Sequence, residues 1–389
     1  MNLTQSSVQV GIVAGEASGD LLGSLLIGAL KTAQPEVEFF GIAGPKMQAL
    51  GAKSLFPMQA LSVRGYVEAL GSLNKILAIR RALKRRLLQA RPSLFIGVDA
   101  PDFNLALERT LKRAGIPCVH FVSPSVWAWR PQRINKVRRA VSHALLIFPF
   151  EEDIYRQAGI PATYVGHPLA HALPEPNRKT ARERLGLQPA GEYVVLMPGS
   201  RLGELNALAK LFIEAAKGLA ATRPHTRFLI PLVSRETRQA FERSLHEADA
   251  HELPIRILYG HAHDALQAAD AALIASGTAT LEALLLECPH VITYKVPWLT
   301  WQIMRRQALQ PWIGLPNILA GADIVPEIIQ NQATPAALAQ ALDHLLTTQD
   351  ARDHQIESFR QQRARLKRNT PALISHALQP FLTGGQHAI

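Results

Sequence analysis

Leu94–Asn104 reads LFIGVDAPDFN. The run Leu94–Val98 is short, apolar and unbroken by polar residues, which marks a strand buried on both faces rather than one alternating between core and water. Asp99, Asp102 and Asn104 follow at once, and Asn104–Ala114 continues with helical spacing. A buried strand, a polar turn and a helix in that order are the unit of a parallel α/β sheet. In such sheets the carboxyl ends of the strands face the ligand crevice. Asp99 therefore stands where a carboxylate can accept a proton from a substrate hydroxyl, Asp102 is placed to cap the helix, and Asn104 lies in its first turn. A capping role for both aspartates is the structural alternative.

Outward from this stretch the same alternation continues. Upstream, Val8–Val13 reads as a strand, Leu21–Thr32 as a helix, Val37–Gly41 as a strand and Leu70–Ala90 as a long helix. Downstream, Pro117–Val122 and His143–Phe148 read as extended on either side of a helical Arg130–Arg139. Leu173–Lys179 (LPEPNRK) then interrupts with two prolines and polar residues, the best linker in the chain. A second series follows, with strands at Tyr193–Met197, Thr226–Pro231, Ile255–Leu258, Ala271–Ala275 and His290–Tyr294. Helices fall at Leu202–Thr222, Ser234–Ala248 and Ala279–Leu286, then Pro335–Thr347 and most of Arg352–Leu378, with a break near Pro371. The expectation is two α/β domains, 1–172 and 180–340, with a cleft between them. A helical tail, 341–389, packs on the first domain or on another subunit.

Composition agrees and excludes much else. At 389 residues the chain has room for two ordinary domains and needs no disulfide scaffold. Its 42 basic and 31 acidic residues leave a net charge of +11, which favours an anionic partner without choosing among nucleic acid, acidic lipid and phosphorylated substrates. Cys118 and Cys288, the two cysteines, cannot build a four-cysteine metal site and read as buried thiols of a reducing compartment. The start lacks an export signal, and the apolar stretch Leu21–Leu30 is far short of the roughly 20 residues that span a bilayer. The protein is expected in the cytoplasm, at most resting on a membrane from that side. Two stretches suit such contact, Leu70–Gln89 with its six basic residues and Trp298–Trp312 with Trp301, Ile303, Met304, Arg305 and Arg306, although ordinary packing explains either. No stacking platform of aromatics interleaves the basic runs, which argues against RNA.

Further polar loops sit after strands. Gly11–Asp20 (GIVAGEASGD) lacks the dinucleotide spacing, and Glu16 and Asp20 would repel a close phosphate. With Ser18 they suit a sugar or acceptor hydroxyl, or simply a structural turn. His120 can orient Asp99 or be an interior histidine. Ser123–Arg130 (SPSVWAWR) offers Trp127 and Trp129 as a wall and Arg130 for a phosphate, and His167 in Gly166–Leu169 is a polar contact. In the second half, Met197–Glu204 (MPGSRLGE) presents Ser200 and Arg201 at a helix start, a plausible diphosphate clamp. Ser276–Glu282 (SGTATLE) repeats the arrangement, with Ser276, Gly277, Thr278, Ala279 and Thr280 supplying hydroxyl and backbone donors and Glu282 an acceptor for ribose hydroxyls. Together these two loops favour a nucleoside diphosphate.

The ordered set GEASGD (15–20), GIAGPKM (41–47), DAPDFN (99–104), VSPSVWAWR (122–130), GHPL (166–169), PGSRLGE (198–204), ASGTATLE (275–282) and LPN (315–317) resembles the lipid-A-disaccharide synthase family. The resemblance runs from about Val8 to Gln330. It implies two Rossmann-like domains in a GT-B glycosyltransferase architecture, acceptor side first and UDP-sugar side second. It also implies inverting transfer from UDP-2,3-diacylglucosamine to 2,3-diacylglucosamine 1-phosphate, forming a β-1,6-linked disaccharide 1-phosphate and UDP. Asp99 then becomes the general base, with Arg201, Ser200 and Ser276–Thr280 on the leaving diphosphate and Glu282 and Asn317 as further donor contacts. No cofactor and no metal are assigned. The family works as a peripheral enzyme on the cytoplasmic face of the Gram-negative inner membrane, an anionic surface, and its C-terminal segment can contribute to a homodimer; nucleic acid is no partner. One departure stands out, Val63–Glu68 (VRGYVE), where Arg64 replaces a common Met and is offered as an acceptor-phosphate or membrane contact. The competing readings are another UDP-sugar enzyme such as an epimerase, and a non-catalytic lipid or nucleic-acid binder.

Overall fold

A computed structural model describes residues 8–61 and 66–383, with the backbone alone at 17, 66–73 and 383. The chain forms two compact units. The first comprises the residues up to His171 together with those from Leu366 onward, and the second is Ala172–Arg365.

The strands of the first unit are β1 (Gln9–Ala14), β2 (Glu38–Ile42), β3 (Lys53–Ser54), β4 (Leu94–Val98), β5 (Cys118–Phe121), β6 (His143–Leu146) and β7 (Ala162–Tyr164). They pair in parallel in the order β3-β2-β1-β4-β5-β6-β7, so the direction of winding reverses between β1 and β4. The second unit holds β8 (Tyr193–Met197), β9 (Arg227–Leu232), β10 (Ile255–Tyr259), β11 (Ala271–Ala275), β12 (His290–Tyr294) and β13 (Glu327–Ile329). Its order is β10-β9-β8-β11-β12-β13, reversing between β8 and β11. The short edge strands β3, β7 and β13 carry too few apolar residues to stand out in the sequence, and pairing with a neighbour defines them.

Helical faces close each core. On the helix Tyr66–Ala90, Ile79, Leu83 and Leu87 recur every four residues, as Phe103, Leu107 and Leu111 do on Pro101–Arg113. Both stripes bury against Val13 and Phe95 of the sheet. In the second unit Leu205, Leu208, Phe212, Ala216 and Leu219 of the helix Leu202–Thr222 pack on Val194, Leu196, Phe228 and Leu273. Each fully buried leucine or phenylalanine of this kind is worth roughly 1.5–3 kcal/mol.

The segment 341–389 is divided between the units. Most of the helix Gln349–Leu366 belongs to the second, where Gln355 Oε1 accepts from His290 N at 2.9 Å. The helix Thr370–Thr383 belongs to the first, burying Ile374 and Leu378 and donating from Ser375 Oγ to Ala29 O at 3.0 Å. The helical segment is interrupted at 367–369, the expected break near Pro371, and the proline lies in the first turn of the second helix, where a residue has no intrahelical N–H bond to lose. Cys118 and Cys288 are free, buried thiols, one in each unit. Among the described residues no helix is long and apolar enough to cross a membrane. Arg64 lies outside the described residues.

Candidate active site

A doubly wound sheet opens its ligand crevice beyond the carboxyl ends of the strands at the point where the winding reverses. In the first unit that point lies between β1 and β4, which places the turn after Ala14 beside Asp99. Gly15 makes the approach possible, since a Cβ there would lie 2.9 Å from Ala100 Cβ. Asp99 and Ala100 take left-handed backbone angles (φ 51° and 44°), a conformation that costs non-glycine residues of order 1–2 kcal/mol each. Three sets of bonds hold it. Asp99 N donates to Phe121 O (2.8 Å), Asn104 Nδ2 donates to Asp99 O (2.8 Å), and the amides of Phe103 and Asn104 donate to Ala100 O (both 3.0 Å). The partly exposed Asp99 side chain is thus aimed by its own strained backbone.

Beneath it lies a polar cluster that the sequence reading reached only through His120 and Asn104. Register pairs Gly97 with His120, and a Cβ on Gly97 would overlap the Glu108 carboxyl. Glu108 Oε1 meets His120 Nδ1 at 2.7 Å, with both side chains buried. Burial opposes charge on His120, yet the Glu108 carboxylate and hydrogen bond, with a smaller contribution from Asp99, raise its affinity for a proton. His120 Nε2, Glu108 Oε2 and Asn104 Oδ1 are buried without hydrogen-bond partners among the described residues. Nearby, Tyr155 Oη donates to Ser123 Oγ at 2.8 Å. Burial pushes the Glu151 carboxyl up to about 8 although Phe148 N donates to it at 3.1 Å. Asn104 and Glu108 are one helical turn apart beside an apolar stripe, and that spacing was the available signal for the cluster.

The remaining candidates of this unit sort into supports and exposed groups. Asp20 is buried and accepts from Lys46 N (2.9 Å) and Met47 N (3.0 Å), so it caps the short helix Pro45–Ala49. Asp102 does not cap: Pro101 starts the helix one residue earlier, and Asp102 meets Arg133 on the surface at 3.0 Å. Trp127 is buried edge-on to Phe148 and Phe150, and His167 packs on Phe148 with its ring pushed down to about 4 by burial. Trp129 is 40% exposed beneath the Arg130 guanidinium, which lies 4.4 Å from the ring centroid. Glu16 and Ser18 are exposed at the start of the helix Ala17–Ala33.

The second unit brings its two glycine-containing loops to the reversal between β8 and β11. Ser200 and Arg201 follow β8, and Arg201 is the N-cap residue of Leu202–Thr222, its side chain 77% exposed and 3.7 Å from Glu204. Tyr294, at the end of the next-but-one strand, is shifted up by burial and Glu204 and held back by Arg201, so these three groups act on one another. After β11, Gly277 caps the helix Thr278–Leu285, leaving Gly277 and Thr278 exposed and Ala279 half-buried at a helix start. Anions are favoured at such an end. Ser276 and Thr280 hydroxyls are not free donors, because they donate to Ile313 O (2.9 Å) and Gly277 O (2.8 Å). Glu282 meets His263 Nε2 at 3.2 Å, a partner the sequence reading did not name. Asn317 requires correction as a ligand contact. Its Nδ2 donates to Val325 O and Glu327 Oε1 and its Oδ1 accepts from Ile324 N and Val325 N, which uses the whole capacity of the amide on a loop brace.

Solved structures share the fold at low identity. The calicheamicin glycosyltransferase CalG4 matches 98% of this chain and 100% of its own at a TM-score of 0.61 and 14% identity. A UDP-GlcNAc 2-epimerase from Neisseria meningitidis matches 97% and 100% at 0.63 and 11%. This is the GT-B architecture of two parallel-sheet domains with flanking helices. Sequence relatives are far nearer. A lipid-A-disaccharide synthase of Methylobacillus flagellatus is 53% identical over 96% of this chain and 99% of its own. Another, of Aromatoleum aromaticum, is 51% identical over 97% and 96%. A family model described as lipid-A-disaccharide synthetase matches residues 10–378. With that model spanning both sheets and both reversal points, the chain belongs to the lipid-A-disaccharide synthetase family.

Proposed function

We infer that the protein is a glycosyltransferase that makes the lipid A disaccharide. UDP-2,3-diacylglucosamine is the donor and 2,3-diacylglucosamine 1-phosphate the acceptor. The acceptor 6-hydroxyl oxygen attacks the donor anomeric carbon from the face opposite the nucleotide. The bond from that carbon to the β-phosphate oxygen breaks, UDP departs, and the α linkage of the donor becomes β in the product. Asp99 takes the hydroxyl proton. An ordinary aspartate captures such a proton well only as it becomes acidic during bond formation, so aim matters more than resting basicity. The leaving diphosphate gathers charge in the same step and is met by Arg201 and the backbone donors near Ser200 and Gly277–Ala279.

The observation that carries this reading is the strained Asp99–Ala100 turn at the first unit's reversal point, since backbone strain of this kind persists only where surrounding structure enforces it. The enzyme is proposed to work as a peripheral protein on the cytoplasmic face of the inner membrane, with an anionic lipid surface as partner and a homodimer as its assembly.

Product analysis with both lipid substrates in detergent, with and without a chelator, tests the proposal. Acceptor-dependent UDP release and a tetraacyl disaccharide 1-phosphate, both unaffected by chelation, are expected. Sugar isomerisation without acceptor would instead make the protein an epimerase.

A further inference from the structure

Helix Trp298–Gln307 follows β12 on the side of the second unit that carries the candidate donor loops, and it buries none of its residues. Trp298 and Leu299 are 69% and 65% exposed, Ile303 and Met304 51% and 47%, and Leu309 just beyond is also exposed. So much large apolar surface on one ten-residue helix is unlike the rest of the unit, where the exposed large hydrophobics Leu202, Val233 and Tyr259 stand singly. One side of the helix, with Trp298, Trp301 and Arg305, lines a cavity of about 540 Å³ together with Lys295 and the segment Ile329–Gln332. No carboxylate lines that cavity. From Lys295 to Ala322 the sequence contains no acidic residue, and Lys295, Arg305 and Arg306 have no ion-pair partner among the described residues.

We propose that this helix is the element by which the donor-side unit docks on an anionic lipid bilayer. Leu299, Ile303 and Met304 enter the acyl boundary, and Lys295, Arg305 and Arg306 meet headgroup phosphates. The charge pattern selects that occupant. Lys295, Arg305 and Arg306, without ion-pair partners among the described residues, lie beside tryptophans and exposed aliphatic side chains, an arrangement that matches a phosphate plane lying over hydrocarbon. The proposal rests on the lipid-substrate reading above and deepens it, because a bilayer held at this helix delivers a lipid-linked donor beside the loops that bind its diphosphate.

Vesicle co-sedimentation of the full chain tests it, using phosphatidylcholine alone and phosphatidylcholine containing phosphatidylglycerol. Wild-type protein is expected to favour the anionic vesicles. The triple variant Leu299→Gln, Ile303→Gln, Met304→Gln should bind them about tenfold or more weakly, and Arg305→Gln with Arg306→Gln should lose about fivefold per charge on anionic vesicles only. The second variant keeps all the apolar groups and so guards against misfolding of the first, with thermal melts reporting integrity of both. Turnover of detergent-dispersed substrates should be unchanged in the triple variant. Unchanged vesicle binding would overturn the proposal. So would binding abolished only by replacing Lys75, Arg81, Arg85 and Arg86 on the helix Tyr66–Ala90, loss of detergent turnover in the folded triple variant, or loss of binding that merely follows dissociation of a dimer in sedimentation velocity. Absence of acceptor-dependent UDP release by the wild type in detergent would reject the catalytic reading while leaving the vesicle result to stand by itself.

Discussion

At the end of β4 the backbone turns through two successive left-handed residues over a buried cluster of Asn104, Glu108 and His120. At the end of β8 the corresponding turn carries Ser200 and Arg201 outward, with the guanidinium largely in solvent and a helix start behind it. The same topological position is therefore built in two ways. Holding a carboxylate at one angle requires directional bonds, so the first unit hides polar groups and tolerates strain. The diphosphate role we propose for the second turn calls for positive potential over a wide area, which an exposed arginine and backbone amides would supply with little ordering. The first site should be intolerant of small changes in shape, the second mainly of changes in charge.

The largest effect expected from this contrast is on Asp99. Asp99→Asn keeps the shape and removes the proton acceptor, so kcat should fall about 100-fold or more while UDP affinity is retained. Near-normal turnover would take the base role away from Asp99. Arg201→Ala should lower kcat/KM for the donor about 10–100-fold with the acceptor KM unchanged, and added salt should reproduce part of that loss because the group is exposed. Equal effects on both substrates would erase the division of labour. Asn104→Ala removes the bonds to Asp99 O and Val98 O and should cost about 1–3 kcal/mol of stability together with a several-fold fall in kcat, measured by denaturant melts and steady-state kinetics.

A pH dependence comes from buried titratable groups in both units. Glu151 holds its proton up to about 8 in the folded protein against an ordinary 4.5, so the folded state binds more protons than the unfolded one across that window. Its contribution to stability is full below about 4.5, declines as pH rises and is gone above about 8. Glu151→Gln should flatten this part of the stability curve. His167 and His290, each pushed down to about 4 by burial, act with the opposite sign and lose stability as pH falls from 6.5 toward 4. An unaltered pH profile in Glu151→Gln would mean that the first unit's polar interior is better hydrated than its packing implies.

Much of the fold was legible because parallel sheets demand continuous apolar strands. Leu94–Val98, Tyr193–Met197, Ala271–Ala275 and His290–Tyr294 lie where their composition places them. The edge strands were not legible, since two or three residues of ordinary composition become a strand only when a neighbour supplies the ladder. The same division holds at the site. Asp99 and Arg201 could be singled out because each follows a strand, but Ser276, Thr280 and Asn317 looked like ligand donors until their hydrogen bonds were seen to be spent on the fold. Asp102 looked like a cap for the same reason, and the proline before it decided otherwise.

By itself, then, the sequence determined two α/β units, the family and the loops that carry chemistry, because apolar periodicity and ordered local motifs are properties of neighbours along the chain. Only the tertiary structure decided which strands flank each reversal, that Glu108 lies under Asp99, and that the last 49 residues are shared between the units. Those facts depend on which side chains meet once the chain is folded, several of them far apart in sequence. Strand pairing and burial fix such meetings, and no local spacing encodes them.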